Sequence, residues 1–362
     1  MKNRKWGMVI ADNLDHDLAG RIGVFINSFY DPAESRERKS HSADYYLWKL
    51  ATNFHGKGFV SLAVDGDKLV GTTTVTRKTI WFRGHWVNAA EIGDTFTHPD
   101  YQRQGIFTSL VNATRDRALA EGIDLIYGTP NAASLAGYEK QCSFYRKRGL
   151  DLFLWVLPLG LSPVVSRYGG KPFNALYPDV LDRTLTLPLR IINAFVSRHC
   201  EKVPLAFGEN FDSLDAQLRE RHSFMLPRNA VELKSRLMEN PDSNRYGVLV
   251  RRDRDAELQG VLIYKDTFQD GLRILFVADT FAIDHSSLTH LWNAALEMAF
   301  RLRYDLIAVW AQRSWSSIAS MLPVPPVPVV RKEVIIYDYG RGREALNDCG
   351  SWRFSILDSD NI

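Results

Sequence analysis

The sequence predicts an α/β protein built of two tandem units. The chain has 362 residues, which is long for one domain and sufficient for two hydrophobic cores. Hydrophobic residues make up 45% and charged residues 24%, a mixture that excludes a wholly disordered or fibrous chain. The order of predicted elements in the first half also recurs in the second half, so two similar units are expected.

Strands and helices alternate through the first half. A strand at 6–10 precedes an amphipathic helix, because apolar residues recur at helical spacing between 18 and 29. Ser42 is the expected N-cap of a short aromatic helix. The later predicted elements are strands at 59–64, 69–78, 86–97 and 124–128, and helices at about 105–121 and 132–148.

A short match and its surroundings indicate an internal duplication. Residues 92–96 (IGDTF) align with residues 277–281 (VADTF), and the DLI of residues 124–126 recurs at 305–307. The interval between the two matches is four residues shorter in the second half. Because order is matched on both sides, we interpret the halves as copies of one unit.

The duplication and a change in composition predict the domain boundaries. Residues 151–207 contain scattered prolines and a Gly169-Gly170 pair, which is typical of a connector. We therefore expect a first domain at 1–155, a structured connector at 156–208 and a second, degenerate domain at 209–362.

Charge and cysteine content exclude several classes. The net charge of +3 and the pI of about 8.6 are too balanced to predict a nucleic-acid partner. The three cysteines form no CxxC pair, so neither a disulfide framework nor a metal site is expected. The longest apolar run, 152–165, is broken by Pro158 and Pro163, and the apolar stretch near the N-terminus is too short for a signal peptide. These features predict a soluble, cytoplasmic protein without a membrane partner.

The segment 97–107 carries the strongest functional signal. It follows a predicted strand and opens a helix, so its backbone N–H groups and the helix dipole suit a pyrophosphate. Gly105 lets the backbone approach an anion closely, and Arg103 can pair with phosphate oxygens. An ordinary polar strand-to-helix turn remains the alternative.

This segment resembles the signature of the GNAT superfamily of acyl-CoA-dependent acyltransferases. The family pattern is Gln/Arg-x-x-Gly-x-Gly/Ala, and Gln102-Arg103-Gln104-Gly105-Ile106 matches it after Thr97-His98-Pro99. Phe107 departs from the pattern by occupying the final small-residue place. The resemblance is most specific over about residues 90–150 and, through the repeat, implies two tandem GNAT-like domains, each a mixed twisted sheet flanked by helices.

The resemblance implies one CoA site, between the fourth and fifth strands of the first half. The implied CoA-binding residues are Thr95, Phe96, Thr97, Gln102, Arg103, Gln104, Gly105, Ile106, Phe107 and Asn131. The second copy has no glycine at 282–288, and Asp284 would repel phosphate. The expected cosubstrate is acetyl-CoA or a short hydroxyacyl-CoA, with no metal.

Two carboxylates are candidates for the general base that takes a proton from the attacking amine. Glu91 precedes Gln102 by the spacing at which histone-type GNAT enzymes place this base. In a regular strand, Asp94 and Glu91 face opposite sides of the sheet. A bulge, which is common on this strand in the family, would place Asp94 on the same side as Glu91. For either residue a salt-bridged or solvated strand position is the alternative.

Two tyrosines are candidates for the group that assists the departing thiolate. Tyr138 follows Asn131 by the interval usual in the family, whereas Tyr145 begins a Tyr-x-x-x-Gly ending that also matches it. Tyr138 is favoured, because its distance from the strand end fixes its proximity to the thioester.

The resemblance implies an N-acyltransferase in which an amine attacks the thioester directly. Tandem relatives of this length include enzymes that acylate nucleotide-linked amino sugars for surface polysaccharides, so such a sugar is the leading acceptor. Two alternatives stay open: an aminoacyl-tRNA-dependent transferase of tandem-GNAT type, and a non-catalytic acyl-CoA-binding sensor.

Overall fold

Two mixed β-sheets, each flanked by helices, form the architecture, which confirms the predicted fold class. The structure is a computed structural model, and it describes residues 5–30, 41–147, 149–159, 200–269, 271–312, 327–338 and 352–359.

The elements follow one another in the order expected from the sequence, with small shifts at their ends. Up to residue 158 they are β1 (Gly7–Ala11), α1 (His16–Asn27), α2 (Ala43–Tyr46), β2 (Phe59–Asp65), β3 (Lys68–Phe82), β4 (His85–Thr97), α3 (Ile106–Ala120), β5 (Leu125–Gly128), α4 (Ala132–Gln141), β6 (Tyr145–Arg146) and β7 (Leu152–Pro158). From residue 200 they are β8 (Cys200–Val203), α5 (Glu209–Arg221), β9 (Phe224–Met225), α6 (Ala230–Leu233), β10 (Tyr246–Arg252), β11 (Leu258–Gln269), β12 (Leu272–Ala282), α7 (His285–Arg301), β13 (Leu306–Gln312), β14 (Val327–Lys332) and β15 (Ile335–Asp338).

Both sheets have the same strand order. The first runs β1-β2-β3-β4-β5-β15-β6, with β9 added beside β3, and the second runs β8-β10-β11-β12-β13-β7-β14. In each sheet one pair is parallel, β4 with β5 and β12 with β13. The shared order supports the internal duplication that the sequence indicates.

The two units exchange one strand each. β15, from the second half, lies between β5 and β6, while β7, from the first half, lies between β13 and β14. The expected boundary at residue 155 therefore falls inside a strand of the second sheet. Residues 160–199 of the expected connector lie outside the described residues.

A short helix in each unit widens into a π-helical turn. α2 continues as Leu47–Ala51 and α6 as Lys234–Met238. The Trp48 indole N–H donates to the carbonyl oxygen of Ser235 at 2.9 Å, so the two turns meet where the units join. Ser42 caps α2 as predicted, accepting the N–H of Tyr45.

The helix expected at 132–148 is shorter than the sequence indicates. α4 ends at Gln141, Ser143 takes a left-handed conformation with φ of 62°, and the chain then pairs with β15 as the short strand β6. The left-handed residue ends the helix, because continuing it requires right-handed dihedral angles.

Candidate active site

In the first sheet, the parallel strands β4 and β5 separate after a short paired stretch. β4 and β5 are paired from Ala89–Leu125 to Glu91–Tyr127, and beyond that point β4 continues to Thr97 beside β3 but without β5. The strands therefore separate after Glu91.

Two buried hydroxyl groups flank this opening. The Oγ1 atoms of Thr97, at the end of β4, and of Thr129, just after β5, have no hydrogen-bond partner among the described residues. Buried polar atoms are nearly always paired in folded proteins, so these two hydroxyls are available to a polar ligand.

A β-bulge in β4 places both candidate carboxylates on one face of the sheet. Gly93 pairs with Thr74 and Phe96 with Thr72, so two residues of β4 oppose one of β3, and Asp94 has φ of 45°. The Asp94 carboxylate consequently reaches the Thr74 hydroxyl, at 3.1 Å. Glu91 pairs with Thr76, which faces the same side as Thr74.

Asp94 forms a buried ion pair that the sequence did not predict. The Lys49 Nζ lies 2.8 Å from Asp94 Oδ2, and Lys49 is only 2% exposed. The Thr72 hydroxyl donates to the Asp94 carbonyl oxygen at 2.7 Å. The bonds to Lys49 and Thr74 hold the carboxylate in one place.

Glu91 is buried where the strands begin to separate. It is 2% exposed, and its Oε1 accepts a hydrogen bond of 2.6 Å from the Ser359 hydroxyl. Ser359 comes from the far end of the chain, so the second half of the sequence supplies a contact to this carboxylate.

Tyr138 lies beside the opening, whereas Tyr145 does not. The Tyr138 hydroxyl forms a 2.7 Å hydrogen bond with Thr95 Oγ1 on β4. Burial raises the pKa of Tyr138 well above its ordinary value, although the hydrogen bond to Thr95 opposes this rise, so the hydroxyl is protonated at neutral pH. Tyr145 is on β6, which pairs with β15 and is separated from β5 by that strand.

The remaining candidates divide between the opening and the core. Asn131 is the N-cap of α4, and its side chain accepts the Ser134 N–H at 2.9 Å. The Phe96 ring packs toward α1, 5.0 Å from the ring of Phe29.

The N-terminus of α3 is open to an anion. Gly105 is its N-cap with φ of 79°, a left-handed conformation that glycine adopts without strain. None of the described side chains caps the helix, and the first N–H groups of α3 have no partner within the helix. Gln102, Arg103 and Gln104 are exposed beside it, while the Ile106 side chain is buried in the core.

Phe107 fits at the place where the family pattern has a small residue, because the facing residue on α4 is a glycine. A Cβ atom on Gly137 would lie 2.6 Å from the Phe107 ring, and that ring meets the Tyr138 ring edge to face at 5.1 Å. A glycine at position 137 is therefore the feature of the sequence that makes room for Phe107.

The corresponding helix in the second unit is closed to anions. Asp284 is the N-cap of α7, and its carboxylate accepts the Ser287 N–H at 2.7 Å and the Ser287 hydroxyl at 3.1 Å. A carboxylate thus occupies the position that a phosphate would need at this helix.

A polar pocket lies between the two units, on the side where their π-helical turns meet. Its lining includes Trp48, Phe54, His55, Lys78, Glu232 and Arg236. His55 Nε2 is 2.7 Å from Glu232 Oε2, and Arg236 Nε is 2.6 Å from Glu232 Oε1. Burial raises the pKa of Glu232, but the His55 hydrogen bond and the Arg236 charge outweigh it and lower this pKa to about 2.

Two further features of the described ranges concern metals and membranes. Their His, Cys, Asp and Glu side chains form no group of three or more that could hold a metal ion. Their helices lack the length and apolar character needed to cross a bilayer.

Separated parallel strands, followed by a glycine-capped helix whose N-terminus is open, give the first unit a GNAT-like fold. Residues 16–152 match the sequence model of the acetyltransferase (GNAT) domain. This part of the chain is thus similar to a GNAT acetyltransferase domain, as the loop motif predicted.

Solved structures with the same fold cover nearly the whole chain. Saccharomyces cerevisiae N-myristoyltransferase with bound myristoyl-CoA is 11% identical with a TM-score of 0.62, and the alignment covers 92% of this chain and 83% of that one. An Anabaena variabilis GCN5-related N-acetyltransferase is 12% identical with a TM-score of 0.60, and the alignment covers 91% of this chain and 72% of that one. A probable N-acyltransferase of unknown function from Enterococcus faecalis is 11% identical with a TM-score of 0.59, and the alignment covers 92% of this chain and 73% of that one. A search of curated protein sequences finds no significant match.

Proposed function

We propose that this protein transfers an acyl group from acyl-CoA to an amine, with the first unit binding the CoA and Glu91 acting as general base. The open N-terminus of α3 would hold the pyrophosphate with its backbone N–H groups. The separated strands would hold the pantetheine, with the hydroxyls of Thr97 and Thr129 available to it. The second unit does not bind CoA in this proposal.

The observation that carries the choice of Glu91 is a difference between the two copies. In the repeat alignment Asp94 corresponds to Asp279, which is also buried and ion-paired, with Arg228 and Arg353. Glu91 corresponds to Phe276. The aspartate is thus present in both copies, including the one whose helix is closed to anions, which favours a structural role. The glutamate occurs only in the copy with the open loop.

Tyr138 is proposed to stabilise the departing sulfur. A thiol has a pKa of about 8.5, so the leaving group departs as a thiolate unless a donor assists it. Because burial keeps the Tyr138 hydroxyl protonated, it can donate a hydrogen bond to the sulfur. The close contacts of Tyr138 with Phe107 and Phe144 fill the space beside the opening, which supports a short acyl group such as acetyl or hydroxyacyl.

The proposed acceptor is a nucleotide-linked amino sugar, bound between the two units. The junction there combines the aromatic rings of Trp48 and Phe54 with the buried cations Lys78 and Arg236, of which Arg236 is paired with Glu232. The pocket, with an empty volume of about 270 Å³, would take only part of such a molecule. Aromatic faces can stack on a base and cations can pair with phosphates, which is the chemistry such a molecule presents. The second unit would then serve to complete the acceptor site.

Release of free thiol from a panel of acyl-CoAs, each tested against a panel of amines, would test the proposed function. We expect turnover with a short acyl-CoA and an amino sugar linked to a nucleotide, and slower turnover with the free amino sugar. Tight CoA binding without turnover for any pair would instead indicate the acyl-CoA sensor.

A further inference from the structure

The segment 352–359 joins the two units at the candidate active site. Trp352, Phe354 and Ile356 are buried in one cluster with Ala89 and Tyr127 of the first sheet. The same segment makes an isolated β-bridge between Ser355 and Ala311 of β13, in the second sheet. The segment 352–359 therefore lies between the two sheets and contacts both units.

A buried ion pair fixes this segment. Arg228 and Asp358 are almost fully buried and form a salt bridge, and Arg228 Nε also pairs with Asp279 at 2.6 Å. The Asp358 carbonyl oxygen accepts a 2.5 Å hydrogen bond from the Tyr127 hydroxyl, directly across the strand pair from Glu91. Breaking such a buried pair is costly, so the residue that follows Asp358 is held in place.

That residue is Ser359, whose hydroxyl donates to Glu91 Oε1 at 2.6 Å, with both residues buried. A hydroxyl that donates to a carboxylate fixes the direction of its lone pairs and favours its ionised form. The other charged groups packed around this face are Lys49 with Asp94, Lys78, Arg236 with Glu232, and Arg228 with Asp358.

We propose that Ser359 is a positioning residue for acyl transfer, holding the Glu91 carboxylate in the ionised and oriented form that takes the proton of the amine. The proposal rests on the proposed role of Glu91. It implies that the first unit, which binds CoA, depends on the second unit for the orientation of its base.

The test follows the Glu91 carboxyl directly and needs no acceptor. In full-length protein with ¹³C-labelled glutamate, the signal that disappears in Glu91→Gln identifies this carboxyl, and its NMR titration is measured with and without Ser359→Ala. Loss of one hydrogen bond worth about 1–1.5 kcal/mol should raise the titration midpoint by about one pH unit. Ser359→Thr, which retains the hydroxyl, should restore the wild-type midpoint.

Ser287→Ala is the matched control, because it removes another buried hydroxyl that donates to a carboxylate, at the N-terminus of α7. It should leave the Glu91 midpoint unchanged. In turnover assays, Ser359→Ala should move the acidic limb of kcat/KM upward by the same amount. An unmoved Glu91 midpoint in Ser359→Ala would overturn the proposal. If the midpoint moves but Glu91→Gln keeps full activity, the proposed general base is wrong, and with it the positioning role.

Discussion

Two carboxylates three positions apart on β4 differ in their surroundings. Asp94 lies on the bulge and is bound by Lys49 and Thr74, so its charge is already compensated by a buried ammonium group. Glu91 lies where β4 and β5 separate, and its Oε1 accepts a hydrogen bond from the Ser359 hydroxyl. Asp94 shares its buried ion pairing with Asp279 of the second copy, which is why the proposed base is Glu91.

At the same scale, the two tyrosine candidates can be separated by substitution. Tyr138→Phe should lower kcat about 100-fold, the lower range for a positioned proton donor, and leave the Kd of CoA within threefold of the wild-type value. Tyr145→Phe, on the distant strand β6, should change neither quantity. Because the pKa of Tyr138 is raised by burial, kcat should show no loss from its deprotonation below about pH 10. An equal loss of kcat in Tyr138→Phe and Tyr145→Phe would contradict the assignment of Tyr138 as the proton donor.

The element in which the two units differ most clearly is the helix N-terminus. α3 begins with a glycine in a left-handed conformation, and α7 begins with an aspartate that caps its own helix. The two helices occupy equivalent places in the two sheets, so this one difference at the N-cap changes the local charge from positive to negative.

Substitution of Gly105 tests this element with a matched pair. Gly105→Asp adds a negative charge where the pyrophosphate is expected and should weaken CoA binding at least tenfold, or about 1.4 kcal/mol. Gly105→Asn is the control, because asparagine has the same shape and tolerates the left-handed conformation. Titration calorimetry with CoA should show a clearly smaller loss for Asn than for Asp. Equal affinities for the two variants would exclude an anion at this helix.

The helices, strands and loops were largely predictable from local sequence. The contacts between segments that are distant in the sequence were not. The loop 97–107, the N-cap Ser42 and the order of strands follow from patterns within a few residues. The Lys49–Asp94 pair was missed because nothing local connects positions 49 and 94. The repeat alignment does not indicate it either, because Arg236, at the position of Lys49 in the second π-helical turn, pairs with Glu232 and not with Asp279.

For the whole molecule, the strand exchange is the main feature that the sequence did not reveal. β7 is a continuous apolar run, and such a run predicts a buried strand without specifying which sheet contains it. The same holds for β15, which enters the first sheet from the second half. As a result, a fragment ending near residue 155 lacks β15, the strand that covers β5.

The contact between the units has a predictable pH dependence. The folded-state pKa of Glu232 is about 2, below its ordinary value of 4.5, so its ionised form stabilises the folded protein above pH 4.5. This contribution, of about 3 kcal/mol, is lost as the pH falls from 4.5 through 2. Urea unfolding between pH 5 and pH 3 should therefore show a flatter pH dependence in Glu232→Gln.

The exposed Glu220 on α5 provides the control for this measurement. Glu220→Gln should retain the pH dependence of the wild-type protein. The same slope in Glu232→Gln and the wild type would show that the His55–Glu232–Arg236 cluster does not contribute to stability at acid pH.

The most direct test of the account compares Glu91→Gln with the wild type in single-turnover release of thiol from acyl-CoA, with CoA affinity measured on the same samples. We expect unchanged CoA affinity and a rate at least about 100-fold lower at neutral pH. The rate of the variant should rise toward pH 10, where the amine loses its proton without a base. Glu139→Gln, on the surface of α4, should keep the wild-type rate. A Glu91→Gln enzyme that binds CoA and turns over at the wild-type rate would contradict the account.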